Sequence, residues 1–349
     1  MRREEIVAIC DQQILDRAAE LFDTARDRLR LFGSYEGCVN LVYEYERDGR
    51  PLILRISYHQ PVEQIRAELH FVNYLASNGV RVSRPLPSRQ GNLLESIQAG
   101  GVCFVIASFV KGKGMRVPDN GYRYRDDAPI EEYFQNWGEV LGQMHALAKA
   151  YKPISESVKR PDWFDLARCK QIGEWVPDQF PVVRDRFRCL LAQVRALPRD
   201  RDSYGLIHGD FNDGNFTVDY SNGDITVFDF DDACYFWFVY ELACAWEGGV
   251  GRTMFSPVAE RKAFMDDYFA HVMAGYHRWN TLSPEWIERL PLFLKLIEME
   301  EFLHHVRYID DLDEELQARL NYKIVCIEND IPYLGFFDSV YSPDRPFSL

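Results

Sequence analysis

Residues 206–233, LIHGDFNDGNFTVDYSNGDITVFDFDDA, decide how this 349-residue chain is read. Leu206-Ile207-His208 is a short apolar run entering a polar loop. Residues 216–220 and 225–230 follow as two predicted strands around Asn222-Gly223, a favoured two-residue hairpin turn. A turn centred there pairs Phe216 with Asp229 and leaves Asn215 one residue from the position opposite Asp229. Neighbouring strands lie about 4.8 Å apart, close enough for two oxygen ligands to share one ion. Strict alternation would put Asn215 and Asp229 on opposite faces, so the hairpin is expected to open or bulge at this end.

These residue types suit one chemistry. Moving a phosphoryl group asks little covalent work of a protein; it needs a carboxylate to orient the attacking hydroxyl and oxygen ligands to hold magnesium against phosphate charge. Asp210 suits the first task, Asn215 and Asp229 the second.

The ordered set His208-Gly209-Asp210, four intervening residues, Asn215, then Phe228-Asp229-Phe230, resembles the aminoglycoside phosphotransferase and choline kinase-like family, which shares the protein-kinase fold. The resemblance covers roughly residues 30 to 310. It implies an α+β, bilobal protein-kinase-like fold. A small N-terminal nucleotide-binding lobe, residues 1–110, would carry an antiparallel sheet and one main helix; a larger, mostly helical lobe, residues 111–349, would carry catalysis and substrate binding. ATP and magnesium are the implied cofactors, and the acceptor is a hydroxyl of a small molecule, within a range that includes aminoglycosides, amino sugars, choline, ethanolamine, homoserine and methylthioribose.

Composition narrows the classes. A hydrophobic fraction of 47%, with 7 Trp, 19 Tyr and 23 Phe, supplies a packed interior, and no repeat or low-complexity segment suggests a disordered arm. The N-terminus carries charges through what would be a signal peptide's apolar core, and no stretch is apolar for the 18 or more residues that a membrane span needs. A cytoplasmic protein without membrane association is expected. Eight cysteines lie scattered without a CxxC pair, which reads as reduced thiols rather than a disulfide framework or zinc site.

The net charge of −14 is uneven: residues 201–349 hold 27 Asp and Glu against 11 Lys and Arg. Such a field disfavours nucleic acid and would concentrate a cationic substrate. For the acidic run 310–315, a solvated helix face is the simpler reading.

In the first hundred residues, 14–29 reads as a helix, 41–45 and 52–56 as strands around Arg47-Asp48-Gly49-Arg50, Val62–Ser77 as a helix, and 93–96 and 102–109 as strands. Gly33-Ser34-Tyr35-Glu36-Gly37 could let backbone N–H groups approach phosphate oxygens, although an ordinary strand-entry turn accounts for it equally. Where kinase-like enzymes carry a strand lysine, this chain has Arg55 among apolar neighbours. Arg can bridge a phosphate and a carboxylate, and Glu68, on the edge of the helix stripe Ile65, Leu69, Val72 and Ala76, is its expected partner. The apolar strand 102–109 runs into Lys111-Gly112-Lys113-Gly114, read as a flexible connector. Backbone groups of Ser108, Phe109 and Val110 are the adenine contacts that the resemblance implies. Residues 111–127 could be a mobile loop over the cleft or a surface excursion.

Beyond residue 131 the pattern is mainly helical. His145 lies beside the stripe Phe134, Trp137, Leu141, Met144 and Ala148 and reads as a packed histidine with a backbone partner. His208 is assigned support of the loop. The aromatic run 235–240 could cage an ammonium group, though core is its commoner use; Asp231 and Glu241 are the weaker substrate candidates. The reading is an ATP- and magnesium-dependent small-molecule phosphotransferase acting on an amine-bearing hydroxyl compound. Its rivals are a protein Ser/Thr kinase of the same fold and a nucleotide-binding regulatory module without turnover.

Overall fold

Alternation of apolar residues builds a six-stranded antiparallel sheet in order β1 (Arg30–Leu31), β2 (Leu41–Arg47), β3 (Arg50–Ser57), β6 (Val102–Val110) and β4 (Pro85–Leu86), with β5 (Glu95–Ala99) also paired to β6. This computed structural model describes residues 3–32, 39–166, 169, 176–252, 258–306 and 314–330. Strands β2 and β3 join through Asp48 and Gly49 at φ of 54° and 72°, the left-handed pair that a tight hairpin requires. Odd and even residues of β6 face different cores. Phe104 and Ile106 pack with Leu54, Ile56 and the first helices, whereas Val105, Ala107 and Phe109 pack with Ile65 and Leu69.

The helix expected over 14–29 begins and ends earlier in the chain: α1 (Arg3–Ile9), a π turn (Cys10–Ile14) and α2 (Leu15–Leu21) stop where Asp23 turns left-handed at φ 57°. The chain then returns to place Arg30 opposite Glu44. Helix α3 (Val62–Ser77) starts after Pro61, a residue suited to helix entry, and buries Ile65, Glu68, Leu69 and Val72. Its other edge, Phe71, Val72 and Leu75, belongs to the larger core, so α3 sits between two interiors.

That larger core is mainly helical: α4 (Ile130–Ala148), α5 (Pro181–Arg195), α6 (Phe238–Arg252), α7 (Val258–Tyr276), α8 (Pro284–Ile287), α9 (Leu290–Val306) and α10 (Glu314–Asn329). Helices α4 and α7 lie so close that a Cβ on Gly138 would stand 1.8 Å from the Val272 carbonyl oxygen. Strands β7 (Tyr204–Ile207) and β10 (Cys234–Trp237) pair with each other, and β8 (Phe216–Asp219) pairs with β9 (Asp224–Val227). The aromatic run 235–240 takes its commoner use, as core: Phe236, Trp237 and Phe238 are fully buried, with Trp163 stacked on Phe236 at 4.7 Å.

The connector 111–114 is not slack. A Cβ on Gly114 would lie 1.7 Å from the Val218 carbonyl oxygen and one on Gly112 2.4 Å from Thr217 Oγ1, so these glycines permit contact with the β8–β9 hairpin. Met115 pairs with Val218 on one edge of that hairpin and Val82 with Val227 on the other. Among the described residues, no helix is long and apolar enough to cross a membrane, and the seven cysteines are free.

Candidate active site

The loop from β7 to β8 is closed by its own side chains. Asn215 Nδ2 donates to the Asp210 carbonyl at 2.8 Å and to Asp210 Oδ2 at 2.7 Å, while Asn212 Nδ2 donates to Asp210 Oδ1 at 2.9 Å. Asp210 stays open to solvent. Crowding by protein and by Asp232 still raises its pKa above the ordinary carboxylate value, against the hydrogen bonds from Asn215 and Asn212. His208 Nε2 donates to the Phe228 carbonyl at 2.9 Å and its Nδ1 accepts from the Asp210 amide at 3.3 Å, which joins the loop to the segment after β9. Gly209 has φ 87°, and a Cβ there would stand 2.2 Å from the Asp232 carbonyl oxygen; no other residue fits.

Glu241 lies under this loop, not in a substrate pocket. It is fully buried, with Oε1 accepting from the Gly209 amide and Oε2 from His145 Nε2, both at 2.8 Å. The chain continues from His145 Nδ1 to the Tyr276 hydroxyl at 3.0 Å and from there to Asn280 Nδ2 at 2.6 Å. Since the Glu241 carboxylate can only accept, His145 Nε2 carries the hydrogen, and the lowered pKa of His145 leaves Nδ1 as the acceptor of the Tyr276 hydroxyl: a neutral Nε2–H tautomer. His145 is therefore packed as expected, although its partners are side chains. Burial lowers the His145 pKa, and His145 and the Gly209 amide hold Glu241 below the usual carboxylate range despite burial.

The hairpin register corrects the expected one. Phe216 faces Val227, not Asp229, and the loop has four residues because Asp219 caps it: its carbonyl accepts from the Gly223 amide at 2.7 Å and its Oδ1 from the Ser221 amide at 3.0 Å. The Phe228 amide still reaches the Asn215 carbonyl at 2.9 Å, and then Asp229 leaves the ladder at φ 63°. That left-handed residue supplies the opening that alternation required. Asp229 is exposed, yet crowding by protein and by Asp231, Glu68 and Asp210 pushes its carboxyl up to about 7, with Arg55 opposing. Excess carboxylate of this kind suits a divalent cation. The Asn215 side-chain oxygen has no hydrogen-bond partner among the described residues. No three His, Cys, Asp or Glu side chains among those residues could hold a metal by themselves, so protein ligands of the Asp229 and Asn215 type would be completed by phosphate and water, the usual habit of magnesium.

Arg55 and Glu68 form a two-pronged pair at 2.8 Å and 2.8 Å, both buried. Asp231, named in the sequence as a weaker substrate candidate, is here too and is engaged by the sheet. Its Oδ1 accepts from Arg55 Nη1 at 2.5 Å and its Oδ2 from Asn40 Nδ2, two residues beyond the left-handed turn at Asp229. Burial alone would lower the Arg55 pKa, but Asp231 and Glu68 raise it, and Arg55 in turn holds Asp231 below the usual carboxylate range against burial. With Nη1 shared by two carboxylates and Nε buried without a partner, contact with a phosphate requires Asp231 to yield its place.

The expected adenine contacts on β6 are largely committed. The Ser108 hydroxyl bonds Tyr45 at 2.6 Å, Phe109 and Ser108 pair with β3 and β4, and the Val110 amide donates to the Arg84 carbonyl at 2.9 Å. Gly33 and Ser34 lie outside the described residues. On the other side of the loop, α6, α9 and α10 bring Glu247, Glu301 and Lys323 together, and Tyr240 donates to Glu300 Oε2 at 2.8 Å. Burial together with Glu301 pushes Glu247 up to about 7, with a contribution from Asp213 of the catalytic loop. No motif in the sequence marks Glu247, Asn40 or Arg160.

A family described as "Phosphotransferase enzyme family" (APH) matches residues 35–282. The chain belongs to the APH phosphotransferases. It is 31% identical to amicoumacin kinase of Bacillus subtilis (strain 168), over 93% of this chain and 94% of that protein. A homoserine kinase of Polaromonas naphthalenivorans (strain CJ2) is 25% identical over 60% of this chain and 62% of its own length. Among solved structures, an amicoumacin kinase in complex with AMP-PNP, Ca2+ and Ami superposes with a TM-score of 0.83 at 26% identity, covering 95% of this chain and 97% of the other. A microcompartment-associated aminopropanol kinase gives 0.68 at 21% identity over 92% and 99%, a likeness of fold. The fold is thus kinase-like and α+β, and the chain is a small-molecule kinase.

Proposed function

We propose that this APH phosphotransferase moves the γ-phosphoryl group of ATP, with magnesium, to a hydroxyl of a small amine-bearing molecule. The observation that carries the reading is the solvent-open Asp210 carboxylate, held by Asn212 and Asn215 beside the left-handed Asp229. Asp210 would orient the acceptor hydroxyl and take its proton, a task favoured by its raised pKa. Asn215 and Asp229 would hold the metal, whose charge would offset that of the phosphates. Arg55 and Glu68 border the phosphate side, and the backbone about Ser108, Phe109 and Val110 the adenine side.

The amine rests on charge. Asp213, Glu247, Glu300 and Glu301 gather where the loop meets α6 and α9, and the aminopropanol kinase acts on what its name describes as both amine and alcohol. The acidic field also weighs against nucleic acid, and the free cysteines suit the cytoplasm. ATP consumption with magnesium, measured with and without a panel of amino alcohols, tests the reading. Amine-dependent consumption with a phosphorylated product supports it; nucleotide binding without consumption for any acceptor would favour a regulatory module instead.

A further inference from the structure

Arg160 is 3% exposed, and every hydrogen bond it makes in the structure goes to a carbonyl or amide oxygen. Its Nε donates to the Ala233 carbonyl at 2.6 Å, Nη2 to the Asp231 carbonyl at 2.5 Å, and Nη1 to Gln60 Oε1 at 3.0 Å and the Gln64 carbonyl at 3.2 Å. Gln60 Nε2 reaches the same Asp231 carbonyl at 3.0 Å. A buried guanidinium held only by neutral oxygens is an expensive arrangement unless those oxygens lack other partners, and a planar fork can satisfy several at once. The carbonyls after Asp229 are of that kind, because the left-handed turn takes them off the β9 ladder.

The two segments that Arg160 fastens are not arbitrary. Gln64 lies one helical turn before Glu68, which grips Arg55; Asp231, two residues beyond Asp229, grips Arg55 from the other side. The contacts close a ring: Arg160 to Gln64, along α3 to Glu68, across to Arg55, over to Asp231 and back to Arg160. We infer that Arg160 is a positioning residue that fixes the 229–233 turn against the start of α3, and so sets where Asp229 stands relative to Arg55. This rests on the proposed phosphotransfer reading of the site but makes a claim of its own, that the metal side and α3 are held in register by one guanidinium.

Two readouts keep the claims apart. Hydrogen exchange needs no ligand: in Arg160→Met, amides of 62–68 and 230–235 should lose protection together while α9 keeps it. Calorimetry of AMP-PNP binding should show the magnesium concentration for half-saturation raised at least tenfold, metal-free nucleotide affinity unchanged, and Arg160→Lys part-way between. Should Arg160→Met fail to fold, Gln60→Leu, which removes one donor and one acceptor, should give the same signature more weakly. Loss of protection in one segment alone, or an unchanged magnesium requirement with coupled loss of protection, overturns the inference. Failure of the wild-type chain to bind AMP-PNP overturns the phosphotransfer reading, and the exchange pattern then decides the clamp alone.

Discussion

The loop that carries Asp210 and the turn that carries Asp229 stand side by side, yet they are held in opposite ways. The first is closed by bonds between residues two to five apart, Asn212 and Asn215 to Asp210. The second is held from far along the chain: Asn40, Arg55, Gln60 and Arg160 reach Asp231 across 191, 176, 171 and 71 residues. A locally closed loop keeps its shape when its surroundings loosen. A turn held from a distance reports on the packing of the whole small sheet, so its geometry is the quantity that remote substitutions should disturb.

The largest effects should separate the two. Asp229→Ala should abolish magnesium-dependent nucleotide binding while the chain remains folded, and unchanged magnesium affinity by calorimetry would remove Asp229 from the metal site. Asp210→Asn should lower turnover by roughly two to four orders of magnitude and leave nucleotide affinity nearly intact. A variant that keeps more than half of wild-type turnover would refute the role given to Asp210.

A smaller effect probes what lies beneath the local loop. Glu241→Ala leaves the Gly209 amide and His145 without their acceptor, and each buried unsatisfied group costs about 1–3 kcal/mol. Thermal unfolding should show that loss, whereas a substrate role would raise the acceptor KM at unchanged stability. pH adds a sign. His145 has its folded pKa lowered by burial, so the unfolded chain binds the proton first; stability should be fully present above about pH 6.5 and fall on acidification by up to about 1.4 kcal/mol per unit. Chemical unfolding at several pH values checks this, and His145→Gln should flatten the slope. Least of all, an amine-bearing acceptor should bind a few-fold more weakly as ionic strength rises, because salt screens exposed charge beyond about 8 Å. Indifference to salt would reduce the acidity near Glu247 to a solvated surface.

The same contrast explains what the sequence made legible. The closeness of Asp210 to Asn215 and the presence of a hairpin after them could be read because these relations are short-range. The Arg55 and Glu68 pair was accessible through strand alternation and the helix stripe, two periodicities that each predict a face. The engagement of Asp231 by Arg55 and Asn40 was not legible because alternation does not foresee the left-handed residue two places before it, and that of Glu241 because a carboxylate among aromatics does not reveal whether a histidine and an amide already occupy it. The four-residue hairpin loop escaped since Asn222-Gly223 favours a two-residue turn, and the Asp219 side chain outweighed that preference. Arg160 had no signal at all.

The β8–β9 hairpin has one more consequence, for how the chain behaves before and after folding. Two short strands standing alone would offer two unpaired edges, the usual template for association between chains. Here Met115 closes the β8 edge and Val82 the β9 edge, both from segments made a hundred residues or more ahead of the hairpin. The partners are therefore already synthesised when the hairpin emerges, and a chain cut between them and the hairpin would leave their backbone groups waiting for a strand that never arrives.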